Sequence, residues 1–252
     1  MDFLEKIIQT KVAEVAAMPL EPLQTSKKRP SFYQLVKEKP HKMHLIAEIK
    51  RASPSKGDIN QTIDPVTQAK AYEAAGVSAI SVLTDQQFFN GSLADLEAVS
   101  KVVSVPLLCK DFIIDKKQLI RAKNAGASLV LLIVAALEPE ALATLYHEAT
   151  TLGLEVLVET HNLAEFQQAQ ALGANIIGVN NRDLKTFAVS LDVSLSLAPQ
   201  PSDAIYISES GIQTVADVRQ LAPFFQGILV GETLMRSEHI ADTAADFQVS
   251  RP

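Results

Sequence analysis

Six apolar runs in this sequence end in side chains that can hold or move a proton. Leu45-Ile46-Ala47 leads to Glu48 and Lys50, and Leu107-Leu108-Cys109 leads to Lys110. Val156-Leu157-Val158 leads to Glu159, Ile176-Ile177-Gly178-Val179 to Asn180, Tyr206-Ile207-Ser208 to Glu209, and Ile228-Leu229-Val230-Gly231 to Glu232. A charge in a buried strand is costly unless it is paired or wet, so the repetition at equivalent places points to one shared polar surface. Side chains alternate along a strand. Glu48 and Lys50 therefore share a face, as do Lys110 and Phe112, and Asn180 and Arg182, while Ile49 and Cys109 point the other way. Brought together, the acids Glu48, Glu159 and Glu209 and the bases Lys50, Lys110 and Arg182 nearly neutralise one another. Such a cluster shifts its own pKa values, which acid–base chemistry needs. An ion-pair ring that only closes one end of the fold would use the same residues.

A second signal is suited to an anion. Ser208-Glu209-Ser210-Gly211-Ile212 and Gly231-Glu232-Thr233-Leu234-Met235 each place a small residue where backbone N–H groups can approach a phosphate. Ser210, Gly211, Gly231 and Glu232 are the expected contacts. The segment from Arg51 to Gly57 sets hydroxyls, Ser53 among them, and cations beside Lys50. Phe88 and Phe89 suit stacking on a ring or packing beneath N-terminal helices. His44, His147 and His161 lack metal-ligand spacing and read as non-ligands, so no metal is expected. Cys109 has no evident base and faces away from the acids, which argues against a nucleophile.

The elements that must position these groups repeat. Short apolar runs at 44–50, 78–84, 106–112, 129–135, 155–160, 175–181, 203–209 and 227–231 alternate with helical stretches. Asp64-Pro65, Ser92-x-x-Asp95, Asn162-x-x-Glu165 and Thr214-x-x-Asp217 mark helix starts, and Gly76, Gly126, Gly153 and Gly173 lie near helix ends. Eight βα units with short links predict an α/β fold, a closed (β/α)8 or TIM barrel, with an N-terminal helical extension. A doubly wound open sheet is the alternative, but neither GxGxxG nor GxxxxGK[ST] occurs. The 47% apolar content, with no Trp, suits a parallel sheet buried on both faces by aliphatic residues. The expected organisation is one domain over 1–252, with a helical cap at 1–43 and the eight units at 44–248. Within the cap, Leu4, Ile7, Ile8, Val12, Val15 and Ala16 recur near a 3.6-residue period over 2–17, and a short helix follows around 32–38. No fused second enzyme is expected after the eighth unit.

Composition narrows the partners. The formal net charge is −6 and there is no long basic tract, which argues against nucleic acid. Converging positive groups can still bind a phosphorylated small molecule. A single cysteine fits a reducing, cytoplasmic setting. The first residues carry no targeting signal, and the longest apolar run, Leu129 to Leu137, is too short to span a bilayer. No obligate protein partner is implied.

At this point the sequence resembles the indole-3-glycerol-phosphate synthase family over essentially its whole length. The resemblance rests on six segments in order: Ala47 to Gly57, Cys109 to Asp115, Val158-Glu159-Thr160-His161, Gly178 to Leu184, Ser208 to Ile212, and Gly231 to Met235. It departs from the family pattern at Asn162, where an acid is common, and Ser208, where Ala is common. The resemblance implies ring closure, decarboxylation and dehydration of 1-(2-carboxyphenylamino)-1-deoxyribulose 5-phosphate, with no cofactor because the substrate's aniline nitrogen supplies the electron push. It implies Lys110 as general acid and Glu159 as base during dehydration. Lys50 would bind the anthranilate carboxylate or serve as acid for water loss, and these stay open. Glu48, Asn180 and Glu209 would hold hydroxyls and the lysines in register. Arg182, Ser53 and the two glycine turns would neutralise the anionic ends, and Phe89 and Phe112 would wall the aromatic ring. It also implies that the N-terminal helices cap the mouth. Two rivals remain: another phosphate-binding barrel enzyme, such as phosphoribosylanthranilate isomerase, and a non-catalytic barrel scaffold.

Overall fold

The computed structural model describes residues 3–25, 27–53, 57–58 and 63–252. Eight strands form the barrel: β1 (His44–Ile49), β2 (Ala79–Leu83), β3 (Leu107–Lys110), β4 (Leu129–Ile133), β5 (Glu155–Thr160), β6 (Ile176–Asn180), β7 (Ile205–Glu209) and β8 (Gly227–Val230). Each pairs in parallel with its neighbours in sequence, and β8 pairs with β1 to close the ring. Helices α3 (Pro65–Ala74), α4 (Leu93–Val102), α5 (Lys116–Asn124), α6 (Pro139–Thr151), α7 (Leu163–Ala171), α8 (Asp192–Leu197) and α9 (Val215–Leu221) follow β1 to β7 in turn. α10 (Glu232–Arg236) and α11 (Ile240–Phe247) follow β8. An antiparallel hairpin, Ala52–Ser53 with Gly57–Asp58, extends the loop after β1. No helix among the described residues is long and apolar enough to cross a membrane.

Strand alternation divides the apolar residues into two cores. Leu45, Ala47 and Ile49 of β1, with Leu107 and Cys109 of β3, pack outward against the helices. Ile46, Leu108, Leu131, Leu157 and Ile207 point inward and fill the barrel. Asp64, Ser92, Asn162 and Thr214 cap their helices through side-chain oxygens, as their sequence signatures predict. Strand β3 stops at Lys110, two residues short of the sequence expectation. Asp111 leaves the strand direction to accept from the Thr84 hydroxyl at 2.6 Å and to pair with Lys11 at 3.0 Å.

The two N-terminal helices lie at opposite ends of the barrel. α1 (Phe3–Ala17) crosses the C-terminal mouth, where Phe3, Leu4 and Ile7 line the cavity. α2 (Phe32–Glu38) instead closes the N-terminal floor. Phe32 and Val36 pack among Ile46, Ala79, Leu129, Ile176 and Ile205. The carboxylate of Glu155, the first residue of β5, accepts from Phe32 N at 2.8 Å, from Tyr33 N at 3.1 Å and from the Ser31 hydroxyl. An anion at a helix start satisfies otherwise unpaired N–H groups and favours the local dipole. The expectation that both helices cap the mouth is thus corrected for α2. The apolar stripe of α1 is corrected too: Val12 is 56% exposed, whereas Lys11 is only 3% exposed. Lys11 is drawn inward by Asp85 at 2.8 Å and Asp111 at 3.0 Å. Burial opposes its charge, but these two carboxylates outweigh that and raise its pKa.

Candidate active site

A cavity of about 1030 Å³ opens at the C-terminal ends of the strands. Its lining includes Glu48, Lys50, Lys110, Phe112, Glu159, Asn180, Arg182, Glu209, Ser210, Gly211, Gly231 and Glu232, with Phe89 from the loop after β2. The polar strand ends read from the sequence therefore meet in one volume, large enough for a phosphorylated small molecule.

Lys110 stands between two carboxylates. Its Nζ lies 3.1 Å from Glu159 Oε2 and 3.4 Å from Glu209 Oε2. Burial disfavours the ammonium, but Glu159, Glu209 and Glu48 outweigh it and hold the Lys110 pKa above the ordinary lysine value. The two glutamates respond oppositely. Glu209 is pushed up to about 8, first by burial and then by the charges of Glu159 and Glu48, against the pull of Lys110. For Glu159 burial also acts upward, but Lys110 and His161 reverse it and leave the carboxyl below its ordinary value. One acid is held ionised and the other favours its proton near neutral pH, as expected for carboxylates crowded about one cation. A separate pair joins Lys50 Nζ to Glu48 Oε1 at 2.7 Å.

Two glycines leave room for this arrangement. A Cβ on Gly178 would collide with Glu209 Oε1, and one on Gly231 would meet Glu48 Oε1 and Lys50 Nζ. Gly231 thus serves the lysine–glutamate pair as well as the chain turn into α10. Across the mouth, Ser210 and Gly211 both adopt left-handed backbone, at φ 66° and 81°. Both residues line the cavity, so the backbone of this turn lies where an anion could approach it. Thr233 donates its hydroxyl to Ile212 O at 2.8 Å and so ties this turn to α10.

The remaining walls are positioned by neighbours that sequence reading missed. Asp85 Oδ1 accepts from Phe88 N at 2.7 Å and Phe89 N at 3.2 Å, which fixes the aromatic loop. Phe89 and Phe112 lie with centroids 6.0 Å apart. Asn181, buried behind the mouth, donates to Ser208 Oγ, Glu209 O and Ser210 O at 3.0, 2.9 and 3.0 Å. Asn180 Oδ1 accepts from Arg182 N at 3.0 Å, and Arg182 reaches Phe187 O at 3.2 Å. The Glu232 carboxylate pairs with Arg236 at 3.2 Å, so an anion contact from Glu232 would come from its backbone. The Ser53 side chain and residues 54–56 lie outside the described residues. Cys109 is buried in the outer core with its thiol pushed up to about 12, chiefly by burial. That environment makes a poor nucleophile.

The fold and the mouth define a class: a (β/α)8 barrel whose C-terminal end gathers paired lysines and glutamates in one cavity, the end where barrels of this kind carry their active sites. The comparisons with known proteins are narrower. Residues 4–247 match the family described as indole-3-glycerol phosphate synthase. A protein of that name from Listeria welshimeri is 54% identical over 252 residues, covering 100% of both chains. One from Streptococcus gordonii is 50% identical, covering 99% of this chain and 98% of the relative. A thiamine phosphate pyrophosphorylase structure from Pyrococcus furiosus aligns with a TM-score of 0.60 at 14% identity, over 81% of this chain and 93% of that one, a likeness of fold alone. The chain belongs to the indole-3-glycerol phosphate synthase family, the carboxy-lyases that close the indole ring in tryptophan biosynthesis.

Proposed function

We propose that the mouth converts 1-(2-carboxyphenylamino)-1-deoxyribulose 5-phosphate into indole-3-glycerol phosphate, carbon dioxide and water, with Lys110 as its central acid. The observation that carries this reading is the single ammonium of Lys110 held between Glu159 and Glu209 in the buried mouth. The ring carbon bearing the carboxylate attacks the ketone carbon. As that bond forms, negative charge gathers on the ketone oxygen, where a preorganised cation stabilises it and delivers a proton. Loss of carbon dioxide then restores the benzene ring, and loss of the new hydroxyl with a proton from the adjacent carbon completes the aromatic indole.

The electrostatics support an order for these events. Glu159 is a weak base while Lys110 is charged, because Lys110 is the chief cation lowering its pKa. Once Lys110 has given up its proton, that pull ends and Glu159 becomes the stronger base that dehydration requires. Lys50, paired with Glu48, either holds the anthranilate carboxylate or assists departure of water. Asn180 and Glu209 hold hydroxyls and the lysine in register. The phosphate sits between Ser210–Gly211 and Gly231–Glu232, with Ser53 and Arg182 helping to neutralise the anionic ends. Phe89 and Phe112 flank the aromatic ring. We read the chain as one domain whose N-terminal extension serves both ends of the barrel, and place it in the cytoplasm, which suits its lone thiol.

The test is a continuous fluorescence assay for indole formation from the carboxyphenylamino substrate, with carbon dioxide release measured in parallel. Equal release of carbon dioxide and indole product is expected. Isomerisation of phosphoribosylanthranilate without indole formation would instead favour the rival barrel enzyme.

A further inference from the structure

Glu159 has a second neighbour that the ring-closing chemistry leaves without a part. His161 follows it by two residues, so both side chains project from the same side of the strand end. The imidazole is nearly buried. Its Nε2 lies 3.2 Å from Glu159 Oε1, an ion contact rather than an aligned hydrogen bond. Its Nδ1 lies 3.1 Å from Glu165 Oε2. Glu165 is itself fixed in the first turn of α7: its Oε2 accepts from His161 N at 2.8 Å, its Oε1 from Asn162 Nδ2 at 2.6 Å, and its own N–H caps on Asn162 at 3.0 Å. The four groups form a line, Glu165, His161, Glu159 and Lys110, that runs from a helix start to the centre of the mouth.

We infer that His161 is a positioning residue for the base: anchored by Glu165, its imidazolium holds Glu159 ionised and keeps Oε2 turned toward the reacting centre after Lys110 has given up its charge. The inference rests on the reading of Glu159 as base. A buried carboxylate that loses its only cation would tend to take up a proton and stop acting as a base. Here a second cation remains on the other oxygen. The charged groups around the pair are Lys110 from β3, Glu209 from β7, Glu48 from β1 and Glu165 from α7. For His161, burial works against the charge, but Glu159 and Glu165 overcome it and raise the imidazole to about 10. The sign follows. This raised histidine adds stability below its unfolded value, and that stability is lost as pH rises through about 10.

The experiment uses the full chain with three variants. His161→Leu removes both contacts and the charge. Its kcat is expected to fall about tenfold or more, and the acidic limb of its kcat–pH profile to move up by about 1 pH unit or more as Glu159 loses a cation. His161→Gln keeps a donor toward Glu159 without the charge and is expected to recover part of kcat, with a limb between the two. A folded His161→Leu whose profile overlays that of the parent overturns the inference. Glu159→Gln separates the two claims: if it keeps full kcat the base assignment falls, and if it loses kcat while His161→Leu does not, only the positioning role falls. Nitrogen-15 spectra of the parent protein, labelled at histidine and assigned by difference against His161→Gln, decide the matter if His161→Leu does not fold. Both His161 ring nitrogens carry protons at pH 8 if the inference holds, and a neutral tautomer at that pH overturns it.

Discussion

The two ends of the barrel are closed by opposite chemistry. At the floor, Phe32 and Val36 fill the space between strands, and Glu155 and His44 have their polar atoms partnered. Glu155 takes three donors from the start of α2, and His44 uses one ring nitrogen on Ser78 Oγ at 2.8 Å and the other on Lys39 O at 3.1 Å. At the mouth, one carboxylate keeps unused capacity. Glu209 Oε1 is buried with no hydrogen-bond partner among the described residues, and its carboxyl favours the proton up to about pH 8. Saturated polar groups hold a structure in place, while buried groups with unused capacity can answer a substrate. The same barrel thus keeps rigidity at one end and reactivity at the other.

The largest expected effect is at the mouth. Lys110→Met keeps much of the stem volume and removes the charge and its donors. A positioned general acid is worth about 10²–10⁴-fold, so kcat should fall by that order while the protein stays folded. Steady-state kinetics beside a thermal melt will show it. If a folded Lys110→Met keeps most of its kcat, the mouth is a structural ion cluster like the floor, and the acid role passes to Lys50.

Phe32→Ala is the matching change at the floor. Truncating a fully buried Phe costs about 3–5 kcal/mol, so denaturant unfolding should shift strongly. The fraction that remains folded should turn over normally, since Phe32 lies at the opposite end from the cavity. A fall in kcat at unchanged stability would mean that the ends are coupled and would break the comparison.

The sequence showed these two ends unequally. The mouth was legible because β-strand parity converts spacing into direction: Glu48 with Lys50, and Asn180 with Arg182, could only point together. The outward face of Cys109 followed from the same rule. Nothing comparable exists for α2, because helical periodicity says which face is apolar and not which end of a barrel it meets. The informative residue was Glu155, a carboxylate at the wrong end of a strand for catalysis, whose partners lie more than 120 positions away in the chain. Lys11 was hidden for a related reason. A lysine beside an apolar stripe reads as a side chain reaching for solvent, and only folding brings Asp85 and Asp111 to it. His161 is within reach of the parity rule, since it stands two residues beyond Glu159, but its lack of metal-ligand spacing says nothing of that contact.

The smallest effect sought is a titration at the floor. His44 is held down to about 4, chiefly by burial, with the cations Lys42, Arg251 and Lys39 adding to it and a backbone bond to Lys39 opposing. Its unfolded value is about 6.5. Between these two values the unfolded chain binds more protons than the folded one, so stability rises with pH across the window and is lost as pH falls through it. His44→Asn should flatten this slope between about pH 4 and 6.5, a difference on the order of 1–3 kcal/mol by linkage. The measurement is urea unfolding at several pH values. The kcat–pH profile supplies the contrast. With His44 at the floor, its acidic limb should stay where the parent has it, whereas changes to Glu159 or His161 should move it. An unchanged stability slope in His44→Asn would mean that His44 is not the group being titrated. A displaced kcat limb would mean that protons at the floor are felt at the mouth, which the saturated bonding around His44 argues against.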